Sequence, residues 1–157
     1  MRLKFQLNGR NLEREIAPDD TLLHLLRDCG MHSVRSGCDT SNCGICTVWV
    51  DDVPVLSCSY PAARAEGRRV TTLEGVRSEA EALMRHMAGE GADQCGYCSP
   101  GFLMSVLAML RELDDPSDDE IRRYLAGNLC RCTGYESQMR AIRKLYEGRR
   151  AQCGGRN

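Results

Sequence analysis

Cys38-Asp39-Thr40-Ser41-Asn42-Cys43-Gly44-Ile45-Cys46, followed at a distance by Cys58, decides how the chain is read. The spacing, C-x4-C-x2-C and then a fourth cysteine, is one by which four thiolates hold a core of two irons and two sulfides. Such a rhombic core takes two thiolates on each iron, and one short loop can supply three of the four by wrapping one side. That loop must turn sharply and aim backbone N–H groups at the sulfurs. Gly37, Ser41 and Gly44 are small enough to permit both. A returning strand is expected to carry Cys58. Zinc also accepts four thiolates, but its sites commonly pair two short C-x2–4-C knuckles. An x4 gap running straight into x2 suits the two-iron core better.

A second set of four follows, Cys95-Gly96-Tyr97-Cys98 and then Cys130-Arg131-Cys132. Taken alone it fits zinc as well as an iron–sulfur core; coming after the first set, it points to a second core. A thioredoxin-like redox role for Cys95 and Cys98 lacks the βαβ context. Cys29 and Cys153 are left over. Cys29, behind a leucine-rich segment, is expected to be a small buried apolar side chain, and Cys153 lies in a polar tail with no expected role. His24, His32 and His86 share no ligand spacing. The acidic run from Asp114 to Glu120 lacks the EF-hand pattern.

Among the 157 residues, 42% are hydrophobic and 27% charged, the balance of a soluble globular protein. Only 5% are aromatic, so the core must come mainly from Leu, Val, Met and Ala. Two halves of roughly 75 residues would each be marginal by burial alone, and metal ligation is one way small domains are stabilised. A net charge of −1 provides no global field for nucleic acid or anionic lipid. The segment Met1 to Arg10 has no apolar signal region and no twin arginine. The clustered spacings of this cysteine-rich chain therefore read as metal binding in a cytoplasmic protein rather than as a disulfide framework. No apolar stretch is long enough to span a bilayer.

Along the chain, Leu3, Phe5 and Leu7 alternate, Asn8-Gly9 is a hairpin signal, and Leu12 to Ile16 can return antiparallel. Asp19-Asp20 is expected to cap a helix with Leu22, Leu23, Leu25 and Leu26 inward, closing near Gly30. Thr47 to Val50 and Val53 to Cys58 read as strands about an Asp51-Asp52 turn, with a last short strand over Val70 to Leu73. From Glu74-Gly75 onward the period becomes helical. Leu83, Met84 and Met87 mark one helix. Ser99-Pro100 reads as a cap and Pro at the first helical position, opening a helix with Phe102, Leu103, Val106, Leu107 and Leu110 inward. Ser117 to Glu120 is a capping box. Thr133 to Glu136 has the same spacing and is expected to open a last helix through Met139, Ile142 and Leu145. The fold class is therefore α+β. A β-grasp domain over residues 1–75 precedes a four-helix-bundle domain over 76–150 and a polar tail over 151–157.

Three stretches carry a family resemblance: Gly37 to Val48, Gln94-Cys95-Gly96-Tyr97-Cys98-Ser99-Pro100-Gly101, and Gly127-Asn128-Leu129-Cys130-Arg131-Cys132-Thr133-Gly134-Tyr135. In this order they resemble the iron–sulfur subunit of the molybdenum hydroxylases, the xanthine oxidase family, which includes aldehyde oxidoreductases and aerobic carbon monoxide dehydrogenase. The resemblance runs from residue 3 to about 147. It implies a plant-type ferredoxin-like domain with a [2Fe–2S] cluster on Cys38, Cys43, Cys46 and Cys58, facing the FAD of a medium subunit. It also implies a helical domain with a [2Fe–2S] cluster on Cys95, Cys98, Cys130 and Cys132, beside the molybdopterin of a large subunit. Gln94 and Cys132 are implied as molybdopterin contacts, and the assembly as a dimer of heterotrimers. Ser41 stands where many members have Gly, Asp52 replaces a usual turn Gly, Ser99 a commoner Thr, and Gln138 an aliphatic residue.

The function expected is a two-cluster electron relay, passing electrons from molybdopterin to FAD during substrate oxidation at a partner subunit. This chain would supply no acid, base or nucleophile. The alternatives are a free-standing ferredoxin-type carrier and a zinc-stabilised interaction module. Arg131, between two ligands, would either tune a cluster by charge or pair with a carboxylate. Trp49 is expected to be strand packing. Substrate and final acceptor are decided on other subunits.

Overall fold

The computed structural model describes the backbone of residues 1–154 and the side chains of residues 1–151. β1 (Arg2–Leu7) buries Leu3, Phe5 and Leu7 on one face. Asn8 and Gly9 both take positive φ, +49° and +80°, which a two-residue turn matched to strand twist requires. The chain returns antiparallel as β2 (Arg10–Glu15), an edge strand blunted by its exposed charges. α1 (Leu22–Asp28) presses Leu22, Leu23, Leu25 and Leu26 onto the sheet. Its cap is Thr21, whose hydroxyl accepts from His24 N at 3.3 Å. The expected Asp19-Asp20 cap is displaced because Asp20 folds back to accept from Ala17 N, 2.7 Å away. Cys29 caps the C-terminal end, half-buried, and Gly30 follows at φ +82°.

β3 (Thr47–Val50), β4 (Val53–Leu56) and β5 (Arg69–Thr71) complete a mixed five-stranded sheet in the order β2-β1-β5-β3-β4. β5 runs parallel to β1 and antiparallel to β3, so the shortest strand occupies the centre. Asp51 and Asp52 hold the β3–β4 turn at φ +50° and +69°. The Asp51 carboxylate compensates by accepting from Arg68 at 2.8 Å and from the Arg69 backbone at 2.9 Å. β4 ends at Leu56, so Cys58 sits in the turn beyond the strand rather than on it.

The second half holds α2 (Arg77–Gly89), α3 (Ser99–Glu112), α4 (Asp118–Leu125) and α5 (Glu136–Gly154). α3 is buried continuously from Pro100 to Leu110, on every face. It packs against α2, α4 and the β3 strand, which is why its sequence is apolar nearly throughout. Its start is shifted from expectation by one residue: Cys98 is the cap, and the Ser99 hydroxyl turns away to Asp93 at 3.3 Å. Met84 is 45% exposed and not inward like Leu83 and Met87. Ser117 and Glu120 form the expected reciprocal capping box. Thr133 to Glu136 do not, because Gly134 and Tyr135 both take positive φ and Glu136 is already the first residue of α5. The backbone of α5 continues through residues expected as a polar tail, up to Gly154. Residues 155–157 and the Cys153 side chain lie outside the described residues.

Two apolar cores result. One lies between α1 and the sheet; the other lies among the helices and takes in Trp49 from β3. Val48 and Val50 point into the first core, and Trp49, 1% exposed, points into the second. The indole N–H donates to Met104 O at 3.1 Å, and the Arg111 guanidinium stacks 4.1 Å from the ring centroid. One strand thereby serves both cores. Among the described residues, no helix is long and apolar enough to cross a membrane.

Candidate iron–sulfur sites

The first cysteine set occupies the loop between α1 and β3, with Ser41 at φ +54° and Gly44 at φ +70°. Serine tolerates the left-handed turn here, and its hydroxyl lies 3.5 Å from Cys58 Sγ. Cys43 and Cys46 are buried, while Cys38 and Cys58 are half-buried. The thiols meet in pairs: Cys38 with Cys43, and Cys46 with Cys58. Backbone N–H groups of Asn42, Cys43 and Thr40 aim at Cys38 and hold its thiol at about 6. Burial pushes Cys46 upward.

The second set is drawn from two places. Cys95 and Cys98 lead into α3, with Cys98 as its cap at the positive end of the helix dipole. Cys130 and Cys132 lie in the loop between α4 and α5. Cys95 and Cys132 are exposed; Cys98 and Cys130 are half-buried. The pairs here are Cys98 with Cys130 and Cys95 with Cys132. Burial and the neighbouring Cys130 push the Cys98 thiol up to about 12. Burial works against ionising Cys130 too, yet the Thr133 hydroxyl and the backbone N–H groups of Thr133 and Cys132 outweigh it and bring its thiol down.

Among the described residues, no three His, Cys, Asp or Glu side chains gather about one point as a single ion would need. In each set the thiols neighbour one another two by two.

Polar side chains brace the second loop. Tyr135 Oη accepts from Cys130 N at 2.6 Å and donates to Asn128 O at 3.2 Å, closing the loop like a buckle. The Thr133 hydroxyl lies 3.2 Å from Cys130 Sγ and 3.0 Å from the Gln138 amide.

The two sets adjoin. Leu129 N donates to Cys43 O at 2.8 Å, one residue from Cys130 on one side and within a ligand candidate on the other. Asn128, 7% exposed, donates from Nδ2 to Gly44 O at 3.3 Å and Gly101 O at 3.5 Å. A Cβ at Gly101 would overlap the Gly44 carbonyl oxygen and come within 2.6 Å of the Ile45 one, so only glycine permits this approach. Arg35 adds a second tie, donating to Gly96 O at 2.8 Å and Tyr97 O at 3.1 Å, with Tyr97 Oη donating to Ser36 O at 2.7 Å. A crevice of about 600 Å³ runs between the sets, lined by Cys38, Cys43, Cys95, Cys98, Cys130 and Cys132.

Gln94, next to Cys95 in the sequence, is exposed. Arg131 is exposed, and no ion pair forms at it among the described residues. His86 is satisfied by the Ala141 carbonyl, 3.0 Å from Nε2. Sequence reasoning did not anticipate Asn128, Tyr135 or Thr133 as structural contacts. For Gln138 a signal existed: an amide on the inward face of a helix next to Met139 and Ile142 requires a polar partner.

Residues 5–74 match the family model for a 2Fe-2S iron-sulfur cluster binding domain, and residues 72–143 match the model for a [2Fe-2S] binding domain. The nicotinate dehydrogenase small FeS subunit of Eubacterium barkeri is 40% identical over 92% of this chain and 94% of its own length. The chain belongs to the iron–sulfur subunits of the xanthine oxidase family. Within that family the xanthine dehydrogenase iron-sulfur-binding subunit of Escherichia coli O157:H7 is 45% identical over 83% of this chain and 84% of its own length. Quinoline 2-oxidoreductase from Pseudomonas putida 86 superposes with a TM-score of 0.87 at 37% identity, covering 98% of this chain and 97% of that one. These relatives are oxidoreductases or their subunits, and the chain is an oxidoreductase component with [2Fe–2S]-binding domains.

Proposed function

We propose that this chain is the two-cluster electron relay of a molybdenum hydroxylase, passing electrons from a molybdopterin subunit to a FAD subunit. Cys38, Cys43, Cys46 and Cys58 would hold one [2Fe–2S] cluster within a β-grasp domain of residues 1–75. Cys95, Cys98, Cys130 and Cys132 would hold the other within a four-helix-bundle domain of residues 76–150. Bound clusters supply one-electron carriers that can link two-electron chemistry at either end. The residues of this chain do the rest. The thiol pairs fix each core, and N–H groups directed at Cys38 and the α3 dipole at Cys98 stabilise negative charge. The clamp of Asn128, Gly44 and Gly101 keeps the separation of the cores constant.

The observation that carries the reading is the hydrogen bond from Leu129 N to Cys43 O, which puts the two cysteine loops in direct contact and so supports a route between them. Electrons would enter at the exposed edge, where Gln94 and Cys132 are proposed to touch the molybdopterin of the large subunit. They would leave through the first set toward FAD on a medium subunit, in a cytoplasmic dimer of heterotrimers. Tyr97 and Leu129, 48% and 47% exposed beside the second set, favour a fixed complex over a free ferredoxin-type carrier. That apolar surface is where a large subunit would cover the crevice.

Cys130→Ser tests the assignment. Electron paramagnetic resonance should lose the signal of one cluster and keep the other, and substrate electrons should no longer reach FAD. Two intact signals in that variant would overturn the ligand set. Purification without larger flavin and molybdenum chains would overturn the fixed complex.

A further inference from the structure

Gln138 is 4% exposed on the inward side of α5, and nothing in the relay as described requires an amide there. Its amide oxygen Oε1 lies 3.0 Å from Thr133 Oγ1, placed to accept from the hydroxyl, and the side chain makes no other hydrogen bond among the described residues. The Thr133 hydroxyl has two further partners: Tyr135 N donates to it at 3.2 Å, and Cys130 Sγ lies 3.2 Å away. A hydroxyl has one proton to give and two lone pairs to fill. The Tyr135 N–H fills one lone pair. The single proton can then go to the Cys130 sulfur or to an amide oxygen, but not to both.

The two ends of a primary amide are nearly the same size, so Gln138 can turn either toward the hydroxyl. With oxygen inward, it competes with sulfur for the proton. With NH2 inward, it fills the second lone pair and leaves the proton only one acceptor. A thiolate on iron is anionic and takes the stronger, charge-assisted bond. The NH2-inward arrangement satisfies the hydroxyl, the sulfur and the Tyr135 N–H together.

We propose that Gln138 is a positioning residue that raises the reduction potential of the second cluster: its amide donates to Thr133 Oγ1, and the Thr133 hydroxyl donates to Cys130 Sγ. The inference rests on Cys130 being a cluster ligand, as proposed above. Reduction adds one electron and moves no proton, and the added negative charge spreads onto the sulfur ligands. A donor at Cys130 Sγ therefore stabilises the reduced form more than the oxidised one. Gln138 touches no reacting atom and acts only through where it sends the Thr133 proton.

The test is a potentiometric titration of the purified, cluster-loaded protein, read by electron paramagnetic resonance, with iron counted in each sample. Thr133→Val should move the reduced-to-oxidised ratio of the second centre at fixed potential about tenfold toward oxidised, about 59 mV for a one-electron couple. Gln138→Leu should move it about threefold in the same direction, and Thr133→Ser should restore it. In a Thr133→Val background, Gln138→Leu should do nothing further, which a merely structural role for Gln138 would not predict. The first centre should not move.

An unchanged potential in Gln138→Leu, or an equal shift with and without the Thr133 hydroxyl, overturns the proposal. Should Thr133→Val fail to load iron, wild type and Gln138→Leu still decide by electron–nuclear double resonance in deuterated water. The exchangeable proton coupled to the second centre must be weakened by the leucine; equal couplings overturn the proposal. Failure of the ligand reading looks different: Cys130→Ser would keep both signals, and the proposal would fall with it.

Discussion

Gly101→Ala isolates the contact between the two cysteine sets. Gly101 lies at the start of α3, and a methyl group there would overlap the Gly44 carbonyl oxygen. It would also lie 2.6 Å from Ile45 O and 2.8 Å from the Ile45 carbonyl carbon. All three are backbone atoms of the first cysteine loop. Asn128 Nδ2 pins Gly44 O and Gly101 O together from behind, so no flexible side chain is available to swing aside. Overpacking a well-filled site costs about 1–3 kcal/mol, and a collision with pinned backbone belongs at the upper end, about 3 kcal/mol. In a chain of this size each kcal/mol moves Tm by about 2–4 °C, so the cluster-loaded variant should melt about 6–12 °C lower. Gly148→Ala is the matched control. No atom lies within 4 Å of a Cβ there, and the position is an exposed helix interior in α5. Alanine should gain about 0.8–1 kcal/mol of helix propensity, raising Tm by about 2–4 °C. The same substitution thus has opposite signs at two positions, read by far-ultraviolet circular dichroism melts. A Gly101→Ala melt within about 2 °C of wild type would refute the close-approach reasoning.

Three further outcomes follow from the contacts described. Asn128→Ala removes the donor to two carbonyls at the junction and should cost about 1–3 kcal/mol, read as a lower urea midpoint at unchanged slope. Trp49→Phe keeps an aromatic ring, though a smaller one, but loses the bond to Met104 O and should cost about 1–2 kcal/mol, whereas Trp49→Ala should cost about 3–5 kcal/mol by leaving a cavity. Burial opposes ionisation of Glu74, but hydrogen bonds from Ser33 and Thr72 overcome it and hold the carboxyl below the ordinary value of 4.5. Its contribution to stability is complete above that value and is lost as pH falls through the depressed one. Glu74→Gln should flatten the acid limb of a Tm-against-pH curve below about 4.5; a limb identical to wild type would count against these bonds.

Local signals with a single physical cause were legible in the sequence. Asn8-Gly9, the alternation of Leu3, Phe5 and Leu7, the four leucines of α1 and the Ser117–Glu120 box depend on near neighbours, and each stands where expected. Caps were less legible, because Asp20, Thr21, Cys98 and Ser99 compete for the same role within one or two positions. In each case a tertiary contact, Asp20 to Ala17 or Ser99 to Asp93, decided which residue won. Within a short loop the neighbouring thiols were legible from spacing, but the approach of Cys58 to Cys46 and of Cys130 and Cys132 to Cys98 and Cys95 depended on the strands and helices between them. Nor was the clamp legible. Asn128 acts on Gly44 from 84 positions away, and no local pattern records such a contact. Trp49 fell between: strand packing was the natural expectation, but which core it would enter depended on the helices laid across the sheet.

That indole has a practical bearing on anyone who wishes to handle the halves separately. A fragment cut near residue 75 would keep a folded sheet yet lay bare the β3 face that α3 had covered, with a large aromatic ring at its middle. Such a piece would seek a substitute partner and clump, while the severed helices would be left with a hole where the ring had been. The chain is in this sense a soldered joint rather than a plug and socket, and grafts of either half should carry the other with it.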